Sequence, residues 1–458
     1  MIFALLLSCW SRAPGPAPAS LAMGPVRVIE QRVDREAVDL VLVIRAGSAH
    51  DPVGQEGLAW LTAQTLVAAA LAQEAPGQSP SLGRDLRWQV EPELVRFELR
   101  CALEESVLCA ERLGSLVTSP GWSEPAFQLA HSRAVIDLSE ALGLATAGPE
   151  REELALALTD RWLYQGHPYG HSPQGRVGSV EVLSLADVQR FHADRYVRGA
   201  TALGIAGSPT AEAVVDVQAA LGGLPGRMHR DATPRALPGD SGVDLLVVEA
   251  PGRGQLAVFG ATLDRDTRIE ERLALAAGLS VLGGAGSGSP LAALVGPGPA
   301  IQTSLDAADR RVQPAFRILI PLSPGQEAAQ LSQLLDRLRT LAEEGVDAGG
   351  LEAWKAQVQE ELSTRESDPL AAVRYQAAAH LLGLPTIDQE RQAVDALSVE
   401  QVSQALRSRL DPDNLRILVL ATEALDLSVV QVAEGEAAAP NPLALRAIHR
   451  VRATEILP

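Results

Sequence analysis

The chain is poor in several things at once. It carries a single lysine, Lys355, and its 39 basic residues are outnumbered by 57 acidic ones, for a net charge of −18. No Lys/Arg cluster and no basic segment interleaved with aromatics offers a footprint for a phosphate backbone, so no nucleic-acid partner is expected. Aromatic residues make up only 3% of the 458 positions. No apolar run reaches the roughly 18 residues that a membrane-spanning helix needs, which leaves a lipid anchor as the route to a membrane. Three cysteines are too few for a disulfide scaffold. Cys101, at the end of the strand-like "VRFELRC", and Cys109, in the helical segment after it, could bridge in an oxidising compartment. Two buried free thiols are the expected state.

What is present is an ordinary globular composition, 47% hydrophobic and 21% charged, in a chain long enough for two or three domains. The N-terminal "MIFALLLSCWSRAPGPAPAS" resembles a bacterial lipoprotein signal, with Cys9 as the acylated residue and the Pro-rich stretch as a tether. That resemblance implies the cell envelope, in the periplasm and held by a lipid. The segment lacks a basic n-region and its apolar run is short, so a plain cleaved signal and a mis-assigned start codon stay open.

Two segments align without a gap. "LSLADVQRFHADRYVRGATALGIAG" from Leu183 lies over "LSVEQVSQALRSRLDPDNLRILVLA" from Leu397. In each, a serine (Ser184, Ser398) followed three residues later by Asp187 or Gln401 predicts a capped helix, then a turn and an alternating strand. The offset of 214 residues between the two segments is a usual domain size, so the halves are expected to be homologous. The division is 1–23 signal-like segment and tether, 24–222 first domain, 223–242 linker, 243–434 second domain and 435–458 tail. The linker rests on the Gly/Pro-rich "GGLPGRMHRDATPRALPGDSG". The tail ends in a short basic amphipathic stretch able to dock on the body or on another chain. Strands are expected in "VDLVLVIRAG", "DLLVVEA", "QLAVFGATL" and "AFRILIPL". A helix with the apolar stripe Leu331, Leu334, Leu335, Leu338 and Leu341 should start at Ser323-Pro324 and stop at Gly345. The fold class is therefore α+β, two homologous domains, each a mostly antiparallel sheet with helices packed on one side.

One stretch carries chemistry by what it omits. "LVLVIRAGSAHDPVGQEGLA" reads as a strand, a Gly-Ser turn, an acidic loop and a Gly-Leu-Ala helix start, and the next residues are Trp60, Leu61, Thr62, Ala63 and Gln64. This frame resembles the pitrilysin/insulinase family of zinc peptidases, which includes the mitochondrial processing peptidase. The resemblance extends by pattern and element order over residues 30 to 422 and implies the LuxS-like metallohydrolase fold of that family. There the helix carries His-x-x-Glu-His, two imidazoles holding Zn²⁺ and a glutamate that deprotonates its water. Here Trp60 has no lone pair for a metal, Ala63 cannot act as a base, and Gln64 offers a neutral amide. The expectation is a site turned into core, with Trp60 filling the space.

The family's third ligand is a downstream glutamate. Asp137 and Glu140 in "FQLAHSRAVIDLSEALG" are the positions able to match it, and a solvated helix carboxylate is the plainer account of both. "LYQGHPYGHSPQG" is similar to a further family segment. Its His167 and His171 fall in a turn broken by Pro168 and Gly170, unsuited to a metal. His192 is expected as an ordinary surface or groove residue. The family's substrate-holding Arg and Tyr have no counterpart in "LGGAGSGSPLAALVGPGPAIQTSL". Gly283, Gly284, Gly286 and Gly288 in that segment are similar to the glycine-rich, substrate-handling loop of a non-catalytic processing-peptidase subunit. A phosphate loop is excluded by the missing Lys-Ser/Thr ending, and a plain surface loop is the simpler alternative.

The resemblance implies an inactive peptidase homologue. It would pair with a zinc-bearing homologue, or with itself, to wall a chamber for extended peptides; zinc would belong to the partner, and no cofactor is expected in this chain. A stand-alone peptide-binding or structural subunit of an envelope complex, and an active metallopeptidase with atypical ligands, are the alternatives.

Overall fold

The computed structural model describes residues 25–75, 81–147, 151–228, 242–250, 255–263, 268–283, 290–291, 301–305, 313–422 and 445–452. The first sheet contains β1 (Arg27–Gln31), β2 (Ala37–Ile44), β3 (Leu86–Val90), β4 (Val95–Ala102) and β5 (Thr201–Ala206), in the order β1-β5-β2-β4-β3. β1 runs parallel to β5, and the remaining neighbours are antiparallel. The second sheet contains β6 (Val243–Glu249), β7 (Gln255–Thr262), β8 (Gln302–Leu305), β9 (Ala315–Leu322), β10 (Arg416–Ala421) and β11 (Leu445–Arg452). Its order is β11-β6-β10-β7-β9-β8, which repeats the first sheet strand for strand with β11 added at one edge. β11 and β10 both pair parallel to β6, and the other pairs are antiparallel. The four strands expected from the sequence are β2, β6, β7 and β9. The basic stretch of the tail is β11, fixed on β6 with an ion pair from Arg446 to Asp244.

The helices of the first half are α1 (Leu58–Ala72), α2 (Leu82–Asp85), α3 (Ser106–Thr118), α4 (Glu124–Ala147), α5 (Arg151–Leu163), α6 (Val177–Val180), α7 (Leu185–Arg195) and α8 (Ala211–Leu221). Those of the second are α9 (Ile269–Gly283), α10 (Glu327–Glu344), α11 (Ala348–Ser367), α12 (Pro369–Leu382), α13 (Ile387–Asp395) and α14 (Val399–Arg409). Both predicted capping boxes form, Ser184 with Asp187 on α7 and Ser398 with Gln401 on α14. The Leu331–Leu341 stripe is buried on α10 and Gly345 ends that helix. Its start differs from expectation. Gln326, without a side-chain cap, precedes Glu327, and Ser323 instead binds the Gln330 carboxamide through its amide and hydroxyl.

In each half the chain's own helices cover one sheet face. Leu40, Leu42 and Ile44 of β2 join Phe97, Leu99, Leu61, Leu66 and Leu113 in one core, and an equivalent core lies between β6–β10 and α9, α10 and α14. The opposite faces are covered by exchange. α12, from the second half, sets Val373, Ala377 and Leu382 on Val41, Val43, Ala202 and Ala206 of the first sheet. α5, from the first half, sets Leu154, Ala155 and Leu158 on Leu246, Val248, Val258 and Leu420 of the second. Burial on both faces is why "VDLVLVI" is apolar almost without alternation, as strands covered on both sides are. Gly204 permits the close approach of α12, because a Cβ there would lie 2.9 Å from Val373 Cβ. Charged anchors fix the exchange. Arg374 of α12 makes a two-pronged contact with Glu98 of β4, Arg317 of β9 pairs with Asp160 of α5, and Arg151 donates to the carbonyls of Ala250 and Leu420.

The two cysteines that were expected as free thiols are instead joined. The Cys101–Cys109 disulfide, with Cα atoms 6.6 Å apart, staples the end of β4 to α3. The turn between strand and helix brings the two positions within bridging distance, which spacing along the chain does not reveal.

Candidate functional site

The approach to α1 is built before the helix begins. β2 ends at Ile44, and a turn at Gly47 leads into the short 3₁₀ turn Ser48–His50. Asp51 then reaches forward: its two carboxylate oxygens accept the backbone N–H groups of Gly57 (2.7 Å) and Ala59 (2.8 Å). These are among the amides that the first turn of a helix leaves without partners, and a carboxylate there also opposes the positive end of the helix dipole. Gly57 sits in the left-handed region, with φ of 96°, and a Cβ on it would meet the Gln174 carbonyl at 2.5 Å. The 172–180 segment closes this loop from outside through Ser179 Oγ, which donates to the Glu56 carbonyl at 2.8 Å, and through the Arg176–Glu56 ion pair at 3.4 Å.

A second buried layer supports the turn. Tyr169, on the 3₁₀ turn Pro168–Gly170, donates its hydroxyl to Glu93, which also lies 3.6 Å from the Arg45 guanidinium. His167 accepts the Tyr169 N–H on Nδ1 at 3.1 Å, and its ring packs against Tyr164 and Tyr169. Burial holds the His167 imidazole down to about 4 from its usual 6.5. Its Nε2 is buried without a hydrogen-bond partner among the described residues.

On α1 itself the three degenerate positions differ. Ala63 is fully buried. Trp60 is half-buried, its ring centroid 5.7 Å from that of Trp88 on β3 and tilted by 51°. Gln64, one turn beyond Trp60, has its side-chain oxygen buried with no donor among the described residues. The expected conversion to core is therefore complete at Ala63 and incomplete at Trp60, which caps the apolar layer and keeps part of its ring outside. Trp88 was not singled out in the sequence, although its place between Leu86 and Val90 in "LRWQV" puts all three on the helix-facing side.

No protein-family profile and no curated protein sequence matches the chain. Solved structures do. A peptidase M16 inactive domain from Pseudomonas fluorescens superimposes with a TM-score of 0.72 at 19% identity, over 87% of this chain and 95% of that one. The fold is the M16 peptidase fold. The periplasmic protease PqqL from Escherichia coli matches with a TM-score of 0.66 at 12% identity, over 91% of this chain but 50% of that one, so this chain spans half the length of that M16-fold protease. A chain of Complex III2 from Candida albicans matches with a TM-score of 0.68 at 14% identity, over 86% and 92% of the two chains.

On this M16 fold the residues present do not fit zinc. The helix offers an indole, a methyl and a carboxamide where the metal would sit. Among the described residues, no three His, Cys, Asp or Glu side chains come together as a metal-holding group. Asp137 is paired with Arg133 one turn back on α4 at 3.0 Å, and Glu140 is exposed. His167 and His171 flank the 3₁₀ turn, and His171 is turned to the Ser172 carbonyl at 3.0 Å. His192, expected as a surface or groove residue, is a structural tie: its Nε2 meets the Val117 carbonyl at 2.8 Å, and its ring packs on Trp122 and Tyr196. Tyr375 of the second half is committed to Glu390 and the Pro385 carbonyl, both at 2.9 Å. Gly283 ends α9 buried beside Thr303; Gly284, Gly286, Gly288 and Cys9 lie outside the described residues.

Proposed function

We propose that this chain is a non-catalytic peptidase homologue that binds extended peptides and pairs with a zinc-bearing homologue, the two building a processing chamber. The observation that carries the reading is the contrast at α1: the loop, cap and clamp of a zinc helix are intact, while the side chains that would grip the metal and take a proton from its water are replaced. Hydrolysis by that route needs two imidazoles and a base, so any activity belongs to the partner. Among the described residues β3 ends the first sheet with β4 on one side only, and such an edge can take an extended peptide as an added strand. The likeness to half of PqqL is consistent with two such units working together. The Cys101–Cys109 bridge supports an oxidising compartment, the cell envelope, with Cys9 as a lipid attachment point.

The test is co-expression with a homologue that keeps His-x-x-Glu-His. The pair should purify together with one zinc per two chains and cleave peptides in a chelator-sensitive way, while this chain alone holds no zinc. A full equivalent of tightly bound zinc in the isolated chain, or chelator-sensitive cleavage by it, overturns the reading. A structural subunit with no peptidase partner is the second reading, favoured by the likeness to a chain of Complex III2. It predicts a stable complex that neither binds peptides nor contains an intact zinc helix.

A further inference from the structure

We propose that the Trp60–Trp88 pair, with Gln64 behind it, is a subsite for an arginine or lysine side chain of a peptide lying along β3. The inference rests on the preceding reading that β3 accepts extended peptides, and it adds the side chain recognised. Trp88 stands in the middle of β3, on the face that looks toward α1, and its ring meets that of Trp60. Because side chains alternate across a sheet, a strand added to β3 places every second residue on that same face, beside the two indoles. Both rings are half-buried, so each keeps surface for a ligand.

Three features choose the ligand. Indole faces attract cations through their quadrupole, tryptophan most strongly. The Gln64 oxygen, one turn from Trp60, is buried with no donor among the described residues, and the half-buried side chain can turn it outward; a guanidinium or ammonium brings N–H groups to it, whereas an apolar side chain would leave that acceptor unpaired. The chain's net charge of −18 disfavours a carboxylate at the same place and draws a cation in. The helix positions that would hold a metal cation in a zinc peptidase would here hold the cation of a peptide side chain.

The experiment is fluorescence anisotropy with short labelled peptides of one β-forming background, in which a single central residue is arginine, lysine, norleucine or glutamate. The arginine and lysine peptides should bind about tenfold more tightly than the norleucine peptide, the magnitude of a partly desolvated cation–π contact. Trp88→Leu and Gln64→Leu should each bring the ratio of arginine-peptide to norleucine-peptide affinity from about ten down toward one. Equal binding of arginine and norleucine peptides to the wild-type chain overturns the subsite and leaves the peptide-binding reading standing. A preference that survives both substitutions places it in the overall charge and overturns the subsite too. Failure of every peptide to bind overturns the peptide-binding reading itself, and the subsite with it. Circular dichroism of each variant separates lost recognition from lost folding.

Discussion

Asp51 and Gln64 stand at the two ends of one short stretch, and their polar atoms meet opposite fates. Both oxygens of Asp51 are taken by backbone N–H groups at the start of α1, whereas the Gln64 oxygen is buried with no donor. The same division runs through their neighbours. Around the loop, Gly57, Glu56, Ser179, Tyr169 and Glu93 are held by close approach or by hydrogen bonds. On the helix, Trp60 and Gln64 are half-buried and loosely determined. The loop is closely determined because its residues serve the fold: they satisfy the helix start and join two segments far apart in sequence. On the helix face, the side chains of Trp60 and Gln64 are placed by packing alone.

The contrast breaks most visibly at Gly57. Gly57→Val puts a branched side chain at a positive φ and against the Gln174 carbonyl, and should cost about 3 kcal/mol in urea unfolding, from backbone strain and overpacking. Asp51→Ala strips two amides of their acceptor and should cost about 2 kcal/mol, again by urea unfolding. A loss below about 0.5 kcal/mol for either would mean that the loop is no better determined than the helix face.

Acid should find the buried layer next. His167 is held down to about 4 by burial, so the folded state keeps it neutral while the unfolded chain takes a proton below pH 6.5. A depressed histidine of this kind contributes its full stability above pH 6.5 and loses it as pH falls toward 4. His192 is held down to about 4 in the same way, chiefly by burial. The expected loss from His167 is about 1 kcal/mol after allowance for solvent, and His167→Gln should flatten that part of the stability profile while leaving the share from His192. The smallest effect is expected on the helix: Gln64→Met removes an unsatisfied acceptor at similar volume and should stabilise the chain by about 0.5 kcal/mol. A destabilisation of more than 1 kcal/mol there would show a polar role for Gln64 in the folded chain.

Much of this was legible from local sequence. The capping residues Ser184 and Ser398 mark α7 and α14, the leucine stripe marks α10, and the frame before Trp60 marks the start of α1. Other features left no local sign. Trp88 lies 28 positions from Trp60 in a strand whose pairing brings the rings together, and neither residue's neighbours announce it. The disulfide depends on how the turn after β4 aims α3. The start of α10 went to Gln326 because the Gln330 side chain occupies Ser323.

The amino-acid sequence alone determined that this chain has a duplicated α+β plan and that the helix after its Gly-Leu-Ala start carries Trp60, Ala63 and Gln64 in place of imidazoles and a carboxylate, since capping, periodicity and the identity of side chains are local properties. Only the tertiary structure decided that each half lends a helix to the other's sheet, α5 outward and α12 back, and that Trp60 ends beside an open strand edge. Those outcomes rest on contacts such as Arg374 with Glu98 and Val373 over Gly204, whose partners are far apart along the chain and become neighbours only when two apolar sheet faces compete for cover.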